Sequence, residues 1–149
     1  MQPVNPKKEK HIKPIQFART CYDHLAGKLG VALFNTLLQN NAIEFLDGTM
    51  KEKQLYPADL KLGPAASTFF SALGIDIKSI KNSRRKFAYA CKDWTERTPH
   101  IAGALGAAIC HAFLEKEWIA RNPSSRTITL TLKGKRALKN IIGLEIDWR

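Results

Sequence analysis

The hydrophobic and polar positions of the chain follow nearly the same pattern twice. The stretch His24 to Phe45 has the sequence HLAGKLGVALFNTLLQNNAIEF, and His100 to Arg121 has HIAGALGAAICHAFLEKEWIAR. Just before these stretches, FARTCYD at residues 17–23 returns as FAYACKD at 87–93, and the second copy carries six additional residues at 94–99. Such an internal repeat predicts two similar units that pack on each other.

The spacing of apolar residues predicts the order helix, helix, β-hairpin, helix in each copy. In the first copy we expect helices over 15–26 and 29–40, strands over 43–46 and 54–56, and a helix over 64–73. In the second copy we expect helices from 85 or 86 to 94 and over 101–117, strands over 118–121 and 127–132, and a helix from the Thr131 cap to Ile142, closed by Gly143. The prediction is a mostly helical α+β fold of two winged-helix-like repeats packed pseudo-symmetrically.

The same patterns divide the chain into four predicted segments. They are a disordered basic lead-in over 1–14, a first repeat over 15–76, a basic linker over 77–86 and a second repeat over 87–149.

Glycines recur at helical spacing in the middle helix of each copy. The positions are Gly27 and Gly30 in the first copy, and Gly103 and Gly106 in the second. Because glycine costs about 1 kcal/mol relative to alanine inside a helix, we interpret these positions as a packing surface where two helices approach closely. The alternative is a phosphate-clamping loop, which the flanking leucine and alanine residues disfavour.

Composition and charge add a bias toward polyanionic partners. The 149 residues include 24 Lys and Arg against 13 Asp and Glu, a net charge of +11 that favours contact with nucleic acid. No apolar run approaches the ~20 residues that span a bilayer, and the N-terminus has no apolar signal segment. Three cysteines favour a reducing compartment over a disulfide framework. We therefore expect a cytoplasmic protein.

Each copy also carries one cysteine, one aspartate and one histidine that match in kind. They are Cys21, Asp23 and His24 in the first copy, and Cys91, Asp93 and His100 in the second. Thiolate, carboxylate and imidazole groups suit a transition metal such as zinc. In the alternative interpretation the cysteines are small core residues and the aspartates cap or pair locally. The lack of Cys-x-x-Cys pairs favours this alternative.

The six-residue insert offers a second candidate site. Trp94, Glu96, Arg97 and His100 combine an aromatic ring, a carboxylate, a guanidinium and an imidazole. This combination could line a pocket for a small effector, or surround a redox-sensitive Cys91. An internal ion pair beside a packed tryptophan accounts for the same residues. An enzyme is disfavoured, because no oxyanion-hole loop and no orienting third group accompany a cysteine and a histidine.

Three stretches of the chain resemble a known family. FARTCYDHLAGKLGVAL, GIDIKSIKNSRRKFAYACKDWTERTPHIAGALGAAI and ITLTLKGKRAL are similar to the C-terminal region of ArsR-type (arsenic-repressor-like) winged-helix transcriptional regulators. The most specific part is the Cys-x-Asp-Trp-(Ser/Thr)-Glu-Arg-x-Pro-His element at 91–100. The resemblance implies a dimeric, effector-responsive repressor whose DNA-reading domain precedes this region. Because Met1 falls where the family has a linker, we expect that domain to be absent here.

The predicted order of elements is itself close to a winged-helix layout, with a wing near residues 121–126. The candidate reading helix is apolar, however, and it lacks side chains that read base edges. We therefore expect at most nonspecific DNA phosphate contact, from Arg84, Arg85, Lys86, Arg121 and Arg126.

Together these observations predict the effector-sensing and dimerisation domain of an ArsR-type bacterial transcriptional regulator, with a homodimer and an unknown small effector. Two alternatives stay open. One is a self-sufficient winged-helix DNA-binding protein, and the other is a metal- or redox-sensing module that uses the Cys/Asp/His sets.

Overall fold

The computed structural model describes residues 13–47 and 55–146, which contain six helices and eight strands. The first half runs α1 (Pro14–Phe17), β1 (Arg19–Cys21), β2 (His24–Ala26), α2 (Gly27–Gln39), β3 (Ile43–Phe45), β4 (Ala58–Leu62), α3 (Ala66–Ala72) and α4 (Ile77–Lys81). The second half runs β5 (Tyr89–Lys92), β6 (Pro99–Ala102), α5 (Gly103–Glu115), β7 (Ile119–Arg121), β8 (Ile128–Leu130) and α6 (Leu132–Ile142). In both halves a hairpin leads directly into a helix of 13 residues.

The segments that we predicted as the first helix of each copy form β-hairpins instead. The prediction of a helix over 15–26 is wrong beyond Phe17, because β1 pairs with β2. The helix predicted to end at residue 94 is also wrong, since β5 pairs with β6. Each hairpin ends at a glycine with positive φ, 78° at Gly27 and 83° at Gly103, and this conformation turns the strand into the helix. Neither half therefore has the predicted order helix-helix-β-hairpin-helix. The share of residues in strands is also larger than we expected for a mostly helical fold.

The later elements of each half agree better with the sequence patterns. The middle helices are observed as α2 and α5, and the strands predicted over 43–46 and 118–121 as β3 and β7. The strand predicted over 54–56 is wrong at residues 55 and 56, because β4 begins at Ala58; Gln54 lies outside the described residues. The basic linker predicted over 77–86 contains α4.

The last helix matches its prediction closely. The Thr131 hydroxyl accepts the Gly134 N–H at 2.9 Å, and α6 ends at Ile142 before Gly143, whose φ is 68°. Of the lead-in predicted over 1–14, only residues 13 and 14 belong to the described part of the chain.

One antiparallel sheet joins the two halves. Its strand order is β3-β4-β5-β6, and β4 of the first half pairs with β5 of the second. The hairpin β7–β8 also contacts the first half, because the Ile128 N–H donates to the Ala18 carbonyl at 2.9 Å. Apolar side chains from both halves form one buried cluster that includes Phe34, Phe70 and Phe113. None of the helices in the described segments is long and apolar enough to cross a membrane.

The middle helix of each half packs against the hairpin of the other half. α2 contacts β6, and α5 contacts β2. A Cβ atom on Gly30 would lie 3.4 Å from the Cβ of His100, and one on Gly106 would lie 3.2 Å from the Cβ of His24. The close approach that we predicted between two glycine-bearing helices is thus an approach of each helix to a strand of the opposite half.

Candidate functional site

The two hairpins place the cysteines and histidines of both copies at one point. Register pairs Cys21 with His24 across β1–β2, and Cys91 with His100 across β5–β6. Because side chains of cross-strand partners lie side by side, each hairpin presents one thiol and one imidazole together. One donor atom from each of the four side chains lies within 4.8 Å of the other three. We call these four residues the Cys/His cluster.

The two imidazoles of the cluster face each other through equivalent atoms. The Nε2 atoms of His24 and His100 are 3.0 Å apart, and the ring centroids are 4.8 Å apart at a tilt of 41°. Both histidines are buried, with 3% and 1% of their surface exposed, whereas Cys21 and Cys91 are partly exposed. The cluster therefore has a desolvated imidazole side and a thiol side that is closer to solvent.

Each imidazole turns its other nitrogen toward an aspartate. Asp93 Oδ1 lies 3.0 Å from Nδ1 of His100, and Asp23 Oδ1 lies 3.5 Å from Nδ1 of His24. The first contact is a hydrogen bond, whereas the second is an ion-pair distance outside hydrogen-bond geometry. Both atoms of that longer contact are buried and have no hydrogen-bond partner in the described part of the chain.

Asp93 also connects the two halves. Its Oδ1 accepts the Gly27 N–H at 2.7 Å and the Arg19 Nη2 group at 3.0 Å, and both donors belong to the first half. Its Oδ2 accepts the Thr95 hydroxyl at 2.7 Å and the Glu96 N–H at 2.9 Å. The Asp93 carboxylate thus binds the N-terminus of α2 and the buried Arg19 guanidinium, both from the first half. It also binds the turn that follows Asp93 in the second half.

These contacts change the protonation of the aspartates. Burial raises the pKa of the Asp93 carboxyl, but hydrogen bonds from His100, Gly27 and Thr95 outweigh burial and hold that pKa well below its usual range. At Asp23 burial also raises the pKa, but Arg85, whose Nη1 lies 2.6 Å away, and His24 together outweigh burial and leave that pKa below its usual value. Both carboxylates are therefore charged at neutral pH.

Two members of the cluster, His24 and Cys91, are uncharged at neutral pH. Burial, followed by the neighbouring His100, lowers the pKa of His24 to about 4. Burial and the adjacent Cys21 thiol raise the pKa of Cys91 to about 11. A neutral imidazole beside a protonated thiol is the state in which a metal ion would find these ligands.

The insert contributes mainly backbone contacts. Trp94 is 65% exposed, and the Arg19 guanidinium lies 4.6 Å from its ring centroid. Glu96 and Arg97 donate backbone N–H groups to Asp93. Of the residues that we predicted to line an effector pocket, only His100 supplies a donor atom to the Cys/His cluster.

Arg19 belongs to the site although it was not predicted from the sequence. This arginine is fully buried and pairs with Asp93 across the two halves. It occupies the position of Tyr89 in the repeat. The available signal was a charged residue inside the mostly apolar run from Phe17 to Cys21.

The residues predicted to contact DNA phosphate differ in their environments. Arg84, Arg121 and Arg126 are exposed, and the last two flank the turn of β7–β8. Arg85 bonds to Asp23, and Lys86 pairs with Asp59. The phosphate role of all five residues stays a prediction.

The chain is similar to one curated transcription factor. It is 40% identical over 140 residues to YdfF, an uncharacterized HTH-type transcriptional regulator of Bacillus subtilis (strain 168). The match covers 94% of this chain and 58% of the relative, so the chain spans less than two thirds of that protein's length. No family model matches the chain, and no solved structure matches it. The ArsR type and the missing DNA-reading domain stay predictions.

Proposed function

We propose that this chain is the effector-sensing region of a helix-turn-helix transcriptional regulator. The observation that carries this proposal is the Cys/His cluster, in which buried polar side chains of both halves meet at one point. Buried polar groups cost free energy unless they are hydrogen-bonded. Nδ1 of His24 has no hydrogen bond and only a 3.5 Å contact with Asp23 Oδ1, which favours a binding role for the cluster over a purely structural one.

Similarity to YdfF supports the regulatory part of the proposal. The relative's name describes an HTH-type transcriptional regulator. The aligned region includes 94% of this chain but 58% of that protein. An effector-sensing region can control a DNA-binding region if it has two conformations that bind the effector with different affinities, because the effector then shifts the equilibrium between them. The ArsR-type assignment and a homodimer belong to the same proposal, on the strength of the sequence resemblance.

The packing supplies a route from the cluster to the rest of the molecule. The two histidines lie on β2 and β6, and these strands support α5 and α2 of the opposite halves. A ligand that changes the separation of the two Nε2 atoms therefore moves each strand against the helix of the other half. Because packed elements have few alternative arrangements, a small shift at the cluster can bias the whole domain between two states.

The test is made in the native host. Deletion of the coding sequence is expected to change the abundance of a limited set of transcripts. His100→Asn at normal protein level is expected to hold those transcripts at one level under all growth conditions, whereas the exposed His111→Asn is the matched control and should respond like the wild type. A deletion strain with an unchanged transcript profile would overturn the proposal.

A second candidate function is direct DNA binding by the hairpin β7–β8. The observation in its favour is that Arg121 and Arg126 are both exposed and lie on either side of one turn. If both neutralise phosphates, duplex affinity falls with salt at a log–log slope of about −0.9 per contact, and Arg121→Ala together with Arg126→Ala reduces that slope by about 2. An unchanged slope in the double variant excludes this surface.

A further inference from the structure

We propose that the Cys/His cluster binds one zinc(II) ion through the Sγ atoms of Cys21 and Cys91 and the Nε2 atoms of His24 and His100. Metal binding stands on the geometry alone, and only its regulatory consequence rests on the proposed function.

The donor atoms of the cluster and their spacing suit a tetrahedral zinc site. Two thiolates and two imidazoles are a combination that zinc accepts in tetrahedral sites, with Zn–S near ~2.3 Å and Zn–N near ~2.0–2.1 Å. Those bond lengths place neighbouring donor atoms about 3.3–3.8 Å apart. In the structure all four donors lie within 4.8 Å of one another, and the two Nε2 atoms are 3.0 Å apart. Movements of about 1 Å or less at side-chain termini are enough to form the tetrahedron.

The surroundings of the two histidines determine which ring nitrogen carries the proton. Each Nδ1 atom faces a carboxylate, Asp23 for His24 and Asp93 for His100, so each ring is best served by a proton on Nδ1. That tautomer leaves an unprotonated lone pair on both Nε2 atoms, and these lone pairs point at each other. The contact is repulsive in that state. A proton moved to Nε2 of His24 would turn it into a hydrogen bond, but the Nδ1 lone pair of His24 would then face the Asp23 carboxylate. A metal ion beside both thiols removes the conflict for both rings at once.

The carboxylates around the cluster occupy the positions that support histidine ligands in zinc sites. Histidine ligands of zinc commonly donate their second N–H to a carboxylate, which fixes the ring and raises its basicity. Asp93 already holds this position for His100, and it is fixed in turn by Arg19. Asp23 stands 3.5 Å from His24, with an unpaired oxygen facing an unpaired nitrogen. A metal ion on His24 would draw this contact into a hydrogen bond equivalent to that of Asp93.

Charge balance supports an ion of charge 2+. Binding converts two thiols to two thiolates and releases two protons to solvent, while both imidazoles stay neutral, so the bound site has no net charge. The nearby carboxylates already have their own cations, since Arg19 pairs with Asp93 and Arg85 with Asp23. The reaction exchanges protons for zinc and involves no oxidant.

The experiment is a metal titration of the purified 149-residue chain, reduced and stripped with a chelator. Cobalt(II) serves as a spectroscopic probe, and zinc is then titrated against a chromophoric competitor. We expect one equivalent of each ion, visible absorption typical of tetrahedral cobalt with thiolate charge transfer in the near ultraviolet, and displacement of cobalt by zinc. Absence of binding at one equivalent would overturn the proposal.

Matched variants identify the ligands. Cys21→Ser and Cys91→Ser are each expected to lower zinc affinity by at least about 100-fold, and Asp23→Asn and Asp93→Asn by about 10–100-fold, as outer-shell changes do. The controls are Cys110→Ala and His111→Asn, which alter the third cysteine and an exposed histidine outside the cluster. An equal loss of affinity in a control variant, or undiminished binding in the double cysteine variant, would contradict the assignment.

A protection assay covers the case in which a variant does not fold. In the wild-type protein, zinc is expected to slow alkylation of Cys21 and Cys91, and a chelator should restore it, whereas the buried Cys110 stays unreactive throughout. Alkylation that is indifferent to zinc would count against the site. If zinc fails to bind while the host transcripts still depend on this chain, the ligand assignment is wrong and the regulatory proposal stands.

Discussion

Two glycines decide how closely the halves approach at the cluster. Gly30 and Gly106 belong to α2 and α5, and a Cβ on either would meet the Cβ of a histidine from the other half, at 3.4 Å for His100 and 3.2 Å for His24. The same atoms would lie 2.5 Å from a backbone carbonyl oxygen of the strand before each helix, which is too close for any real contact. The missing side chains are therefore what allows the imidazoles to meet.

The substitution Gly106→Ala adds one methyl group and tests whether the close approach of α5 to His24 requires a glycine. Inside an ordinary helix this change stabilises by about 1 kcal/mol. Here we expect it to lower the free energy of unfolding by about 1–3 kcal/mol, because overpacking forces the strand and His24 to move. Urea denaturation measures the effect, and His111→Ala on the exposed side of the same helix is the control, expected to change stability by less than about 0.5 kcal/mol. A stabilised Gly106→Ala protein would contradict the packing account.

The elements of the site depend on one carboxylate that acts across the halves. Asp93 binds Arg19 and the Gly27 N–H at the start of α2, whereas its counterpart Asp23 is half-buried and pairs with the more exposed Arg85. The two aspartates match in the sequence repeat, but only one of them is structurally central. The same substitution, Asp to Asn, can therefore be made at both positions and its effects on stability compared.

Asp93→Asn is expected to lower the free energy of unfolding by about 3–5 kcal/mol, because it leaves Arg19 as a buried charge without a counterion. Asp23→Asn should cost about 1 kcal/mol or less, since its partner Arg85 is close to solvent. Urea denaturation of the two metal-free variants and of the wild-type protein measures both changes in the free energy of unfolding. Equal losses in the two variants would show that the buried pair does not hold the halves together.

The two copies of the repeat could be compared by chemical type without a fold, and this comparison brought out the matching Cys, Asp and His residues as candidates. The sequence itself favoured core packing for the cysteines, and a metal-binding role stays a prediction. The hairpins were missed because strands of three or four residues are too short to show alternation, while Phe17, Cys21 and Leu25 fit a helical period. Spacings of three residues in one copy and nine in the other suit cross-strand partners across turns of different length. Neither spacing could reveal Arg19, whose partner lies 74 residues away.

At the scale of the whole molecule, the cluster is a point where protonation and folding are linked. In the metal-free protein the pKa of His24 is lowered to about 4 by burial and by His100, whereas its ordinary value is 6.5. A base whose pKa is lower in the folded state than in the unfolded chain adds its full contribution to stability at pH values above the pKa of the unfolded chain. That contribution is lost as the pH falls from 6.5 to about 4, because the unfolded chain then binds the extra proton.

The metal-free protein is therefore expected to lose stability between pH 6.5 and 4, by up to about 3 kcal/mol from this group. Asp93, whose pKa is held below its usual range, adds its own loss only below about pH 4. Urea denaturation at a series of pH values measures the slope, and His24→Gln should flatten it between pH 6.5 and 4 while leaving the more acidic loss in place. Equal slopes for both proteins would mean that His24 is solvated in the folded state, and the buried pair of imidazoles would then not be the junction between the halves.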